Sequence, residues 1–186
     1  FIISADSSKL PGLPKPFPSN YPVTGSYDAT KWSVDFSNTK AEILISDAGI
    51  LELQDGINFN VNKIDIRNGG KLTNVVGGSA TVTTSELDLQ TIGKVVDASG
   101  ADVTVNNRVL INVPNGESII KAKRLTIPGL VTTPGVVGAA GEHTLVLDLV
   151  GASPSEISGA VRDGLFVSSR PQFSSRLSLI KRGTAT

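Results

Sequence analysis

Residues 62–84, NKIDIRNGGKLTNVVGGSATVTT, lie without a gap over the block 85–107, SELDLQTIGKVVDASGADVTVNN, so the chain repeats itself. Asp65 and Asp88, Gly70 and Gly93, Lys71 and Lys94, Gly77 and Gly100, Thr81 and Thr104, and Val82 and Val105 are identical, while Ile64/Leu87, Ile66/Leu89 and Leu72/Val95 stay apolar. A short fixed period points to stacked units, because one such unit is too small to bury its own apolar side. Each block reads as an apolar-polar-apolar strand, a glycine corner, a second apolar pair, a small-residue corner and another short strand. Weaker copies flank the pair, residues 43–53 with 57–61 before it and 111–120 after it, so about four related units are expected.

The fold class that follows is all-β: a short β-solenoid of about four coils of ~23 residues. Coils stacked about 4.8 Å apart would bury Ile64, Ile66, Leu72 and Val82 over Leu87, Leu89, Val95 and Val105. Asn68-Gly69 and Asn115-Gly116 each stand between apolar runs and keep a second arrangement open, an antiparallel β-sandwich built from hairpins. The IDI…GGKL and LDL…GKV units resemble coils of parallel β-helix proteins, among them phage spike and capsid-attached proteins and filamentous-haemagglutinin-type exoproteins. The resemblance covers residues 43–127 and implies architecture; by analogy with spike-like β-helices it also implies three-fold assembly.

Around the expected solenoid (43–127) the chain changes character. Residues 1–25 contain Pro11, Pro14, Pro16, Pro18 and Pro22, half of the ten prolines, which withhold amide donors and favour an extended arm. Residues 26–42 gather Tyr27, Trp32, Val34 and Phe36 and read as a cap. Residues 128–169 read as a small-residue loop, a strand from His143 to Val150, a short helix and a last strand around 165–168. The helix rests on Ser153-Pro154-Ser155-Glu156, a capping-box pattern, with Ile157, Ala160 and Val161 on one face and Gly164 as its stop. Residues 170–186 carry Arg170, Arg176, Lys181 and Arg182 and no acid, +4 against −4 for the rest, and read as a basic C-terminal arm.

Several function classes are excluded by composition. Seventeen cationic and seventeen acidic side chains give no whole-chain field to attract nucleic acid or anionic lipid, so a nucleic-acid partner is not expected. Without Cys there is no disulfide framework, thiol nucleophile or Cys-based metal site, and one His removes multi-histidine sites. No apolar run approaches the ~20 residues of a membrane-spanning helix. The chain opens on Phe1 and contains no Met, consistent with a removed leader or with a sequence that starts at the first residue placed.

Three features carry possible chemistry. Asp65 and Asp88 recur at one outward position in adjacent units, with Asn112 next, and stacked carboxylates can bind calcium or act as an acid/base pair. Lys63 and Arg67 beside them favour an ordinary polar ladder instead. His143, at a strand start, suits a hydrogen-bonded structural role better than catalysis. Tyr21, Tyr27 and Trp32 suit capping better than sugar stacking. No serine lies in GxSxG and no glycine pair has a phosphate-loop setting.

The expectation is therefore a non-enzymatic virion structural protein without catalytic residues, metal or cofactor, namely a phage capsid decoration (cement) or head/tail accessory protein. Pro11, Pro14, Pro16, Pro18, Pro22, Arg170, Arg176, Lys181 and Arg182 are its partner-binding residues, and its partners are other virion proteins or neighbouring copies, a homotrimer first. A short solenoid exposes strand edges at its ends, which must be capped or docked. The alternative is a secreted or cell-surface adhesin or glycan-binding solenoid. A polysaccharide-active enzyme using Asp65 and Asp88 is the third reading.

Overall fold

A computed structural model of the chain describes residues 2–4, 26–28, 41–134, 141–164 and 175–184. The described residues form a parallel β-solenoid of about 4 turns, about 23 residues apart, and every strand pair among them is parallel. The hairpin arrangement is thereby ruled out.

Three faces make up each turn. The first carries β1 (Ile2–Ser4), β3 (Glu42–Ser46), the second halves of β5 (Ile57–Arg67) and β7 (Ala80–Gln90), the end of β8 (Gly93–Ile111), β10 (Leu130–Thr132) and β13 (Val161–Arg162). The second carries β2 (Ser26–Asp28), β4 (Ile50–Leu53), β6 (Lys71–Asn74), the start of β8, the start of β9 (Gly116–Ile127), β11 (Gly141–Leu149) and β14 (Ser175–Gly183). The third is built from the first halves of β5 and β7, the middle of β8, the end of β9 and β12 (Glu156–Ile157).

Alternation explains what is inside. Phe59, Ile45, Leu53, Ile64, Ile66, Leu72, Leu87, Leu89, Ile111, Ile120, Leu125 and Ile127 are fully buried, and most follow the alternating period of a pleated strand. The sequence repeat is the register itself on the first face: Leu87 stands on Ile64, Asp88 on Asp65 and Leu89 on Ile66. Beyond the first corner the ungapped alignment drifts. Leu72 carries Val96 rather than Val95, and Val82 carries Val103 rather than Val105. The corner after Asn74 is long, spanning positions 75–79, whereas β8 runs unbroken through Ser99 and Gly100, so a gap belongs there. The shift at Val82, from Val105 to Val103, keeps the same face inward, and at Leu72 the one-residue shift changes nothing because Val95 and Val96 are both buried.

At the first corner Asn-Gly serves the solenoid and not a hairpin. Asn68 and Gly69 both take positive φ (47° and 79°), and Gly70 N–H donates to Arg67 O at 2.8 Å to close the turn. One coil below, Asp47 and Ala48 take the same conformation (52° and 60°), closed by Gly49 N–H on Ser46 O at 2.8 Å. An alanine held left-handed is strained by about 1–2 kcal/mol, while a glycine there adds about 0.4–1 kcal/mol of unfolded-state entropy. Ala48→Gly should therefore stabilise the chain by about 0.5–1 kcal/mol. A lower denaturant midpoint for the variant would contradict this.

The stack reaches beyond 43–127 at both ends. β1 and β2 extend it below, and β10 to β14 above. Glu42, Lys63, Glu86, Arg108 and Leu130 succeed one another at nearly even steps, whereas the turn from Val131 to Val161 is distinctly longer. The strand expected at His143–Val150 is β11. The helix expected after Ser153 is not formed; β12 and β13 occupy that stretch, with Ile157 on Ile127 and Val161 on Val131. The Ser155 hydroxyl accepts the Leu125 N–H at 3.0 Å, tying it to the coil below instead of to a helix start. A one-face helix of about ten residues is marginal by itself, and pairing with the stack outcompetes it. The part of the expected C-terminal arm from Ser175 to Gly183 forms β14, paired with β11 along its whole length. The five arm prolines, Arg170, Trp32, Val34, Phe36 and the strand expected at 165–168 lie outside the described residues. Among the described residues no helix is long and apolar enough to cross a membrane.

Candidate functional site

The outer side of the first face holds the densest polar cluster. By register, Leu44, Asp65, Asp88 and Leu110 form one outward column and Glu42, Lys63, Glu86 and Arg108 the next. Leu110, not Asn112, therefore follows Asp88, because the corner at Ser99 and Gly100 uses less chain than the one at 75–79 and makes the step from Asp88 to Leu110 shorter than that from Asp65 to Asp88. Asp65 and Asp88 point outward, as alternation requires, yet they are only 6% and 3% exposed. Longer side chains fold over them.

Each carboxylate is fully engaged. Asp65 accepts from Arg67 Nε at 2.9 Å and from Gln90 Nε2 at 3.0 Å, and Arg67 Nη2 pairs with its other oxygen. Asp88 Oδ2 meets Lys63 Nζ at 2.7 Å, and its Oδ1 meets Arg108 Nη2 at 3.4 Å. Arg108 Nη2 also donates to Glu86 at 2.7 Å. Three cations thus balance three anions. The hydrogen bond to Asp88 holds the Lys63 ammonium above its usual 10.5, and the bond to Asp65 likewise raises Arg67. Carboxylates tied to fixed cations over three coils lock the coils in register. They are poorly placed to take a proton from a substrate, which needs an accessible lone pair.

A second clamp sits at the corner between the second and third faces. Asp55 Oδ1 accepts Ser79 N–H at 2.7 Å and its hydroxyl at 3.1 Å, and these bonds hold the carboxyl below its usual 3.8. In the next coil up Asn74 bridges two coils: its Nδ2 donates to Gly78 O at 2.9 Å and its Oδ1 accepts Gly100 N–H at 3.2 Å. A shallow cleft of about 210 Å³ runs beside these residues, with Ser79, Thr81, Asp102 and Lys123 among its walls. Asp102 is itself paired with Arg124 at 3.3 Å. Among the described residues there is no group of three or more His, Cys, Asp or Glu side chains placed to hold a metal ion.

His143 is completely buried, and its Nδ1 accepts the Val113 N–H at 3.0 Å. A nitrogen that accepts a hydrogen bond carries no proton, so this bond leaves the ring's N–H on Nε2.

The end of the stack is different. β14 has one strand neighbour among the described strands, β11, and after Ser175 its residues are half-buried or exposed. Leu177, Leu179 and Lys181 continue the inward positions of His143, Leu145 and Leu147, but with no described strand above them Leu179 is 42% exposed and Ile180, on the outer side, 37%. Arg176 stands opposite Glu142 and Arg182 opposite Asp148, and Arg182 Nη2 also reaches Glu117 at 3.6 Å. Of the residues singled out for partner binding, the structure thus gathers Arg176, Lys181 and Arg182 on one edge strand. The cross-strand acids, which sequence reasoning did not connect to them, balance part of that charge. The missed signal was the alternation E-H-T-L-V-L-D against R-L-S-L-I-K-R, readable only with the long step from Leu145 to Leu179 in hand. No family model, curated protein or solved structure matches the chain.

Proposed function

We propose that this chain is a non-enzymatic structural component of a virus particle, a capsid decoration or head/tail accessory protein, whose rigid solenoid is held to its neighbours through its terminal segments. The observation that carries this reading is β14: an exposed terminal strand with Arg176, Lys181 and Arg182, no acid, and Leu179 and Ile180 open to solvent. Edge strands of this composition either repel stray strands or receive a chosen one. The engagement of Asp65 and Asp88 by Arg67, Lys63 and Arg108 supports a role without catalysis. Neighbouring copies, in a three-fold arrangement, and the major shell protein are the partners, with the proline-rich segment 11–22 as the second anchor.

Removing residues 170–186 would strip β14 from β11 and expose Leu145, Leu147 and Leu149, so a change of charge is the cleaner test. Arg176→Gln with Lys181→Glu avoids a like-charge pair with Glu142, which stands opposite Arg176, and should leave the circular dichroism and melting of the chain close to native. The same variant should cut its co-sedimentation with virus particles from the producing host at least tenfold, an order of magnitude set by removing one charge and reversing another at an interface. Undiminished co-sedimentation, or a native chain that never travels with particles, would refute the reading.

A further inference from the structure

The register of the second face extends to a statement about what docks on it. In the upper coils its outer column reads Asp97, Lys121, Asp148 and Arg182, alternating in sign above an uncharged Thr73. The adjacent outer column reads Lys94, Ile119, Val146 and Ile180, and an inward column reads Ser118, Leu145 and Leu179. From β9 upward the outer side thus sets apolar residue against apolar residue and each charge against its opposite. We infer that the edge of β14 left open among the described strands binds one further parallel strand from a partner protein, with apolar residues facing Leu179 and Ile180 and a carboxylate soon after them facing Arg182.

Asp163 already shows that this strand accepts a carboxylate, since its Oδ1 takes the Leu177 N–H at 2.7 Å. That contact places the incoming strand from Ser178 onward. Lys181 tolerates an apolar neighbour, because Leu147 faces it on the β11 side. A second copy presenting its own β14 is disfavoured: Arg176, Lys181 and Arg182 of the two chains would meet as like charges. If the basic residues served only to repel other strands, nothing would bind here. The inference rests on the reading of β14 as an attachment edge, and it holds or fails whatever particle the chain decorates.

A peptide with the sequence of residues 141–149, GEHTLVLDL, has the required pattern and is the chain's own β11 strand. Titrated into the isotopically labelled full chain, it should shift the amide resonances of Ser178 to Gly183 and leave the first coil unchanged. The peptide GEHTLVLKL should bind about tenfold more weakly, and Arg182→Gln should weaken the acidic peptide about fivefold, as expected for loss or reversal of a cross-strand charge pair. Arg182→Glu should reverse the preference between the two peptides, and Lys94→Gln, on an inner coil of the same face, serves as the folded control. Absence of shifts at millimolar peptide, equal affinity for both peptides, or self-association through β14 that excludes the peptide would each overturn the inference. None of these outcomes touches co-sedimentation with particles, so the two readings fail separately.

Discussion

Gly100→Ala should destabilise the chain by about 3 kcal/mol, the upper part of the range for forcing extra volume into a packed site. In an ordinary loop the same change stabilises, by restricting the unfolded chain, so even its sign is informative. The reason lies in how coils stack. A methyl carbon on Gly100 would overlap the carbonyl oxygen of Gly78 in the coil below and lie 2.8 Å from Asn74 Nδ2. Neither can retreat: Asn74 holds Gly78 O and Gly100 N–H together, and main chain cannot rotate away as a flexible side chain would. The coils would have to part at this corner, loosening Ala98 and Ala101, both fully buried. Gly56→Ala is the matched control, since nothing lies within 4 Å of its added carbon and only its φ of 73° opposes a side chain. It should cost about 1 kcal/mol. Equal denaturant midpoints for the two variants would show that backbone conformation, and not stacking distance, sets the demand for glycine.

That corner also marks where sequence reading loses its grip. The repeat was legible because the first face tolerates no insertion: Lys63 to Arg67 and Glu86 to Gln90 pair residue for residue. Corners absorb length differences. Positions 75–79 bulge outward, with Val76 wholly exposed, while Ser99 and Gly100 turn the same corner with less chain. An ungapped alignment cannot place Val82, although its apolar character and inward parity come out right. The upper coils were invisible for a related reason. Their turns are much longer than the repeat and unequal to each other, so Val161 over Val131 and Leu179 over Leu145 can be seen only in space. Without sight of their partners, the 153–164 stretch reads by its local capping pattern as helix and the 170–186 stretch by its charge as an arm. Local signals are what remain when nonlocal pairing cannot be read, and here the pairing decided the structure.

The same blindness affected the carboxylate ladder, for which Lys63 and Arg67 were legible as neighbours but Arg108, a full coil beyond Glu86, was not. Because Asp88 is nearly buried between Lys63 and Arg108, Lys63→Met should destabilise the chain by about 3 kcal/mol, the consequence of leaving a buried charge short of its partner. Asp65 below keeps Arg67 and Gln90, so the effect should be local to one rung. Adding Asp88→Leu should recover all of that loss. The column would then read Leu44, Asp65, Leu and Leu110, and replacing a buried ion pair by apolar groups of similar volume is neutral or stabilising by about 1–4 kcal/mol. Proton linkage supplies an independent check. Lys63 binds its proton more tightly folded than unfolded, so its contribution is complete below about pH 10.5 and is lost as pH rises through the higher folded value. The native chain should therefore lose stability above pH 10.5 more steeply than either Lys63→Met or the double variant. A loss below about 1 kcal/mol for Lys63→Met would mean that water, and not Lys63, solvates Asp88. An unrecovered double variant would instead assign the ladder to packing geometry, with charge incidental to the register of the coils.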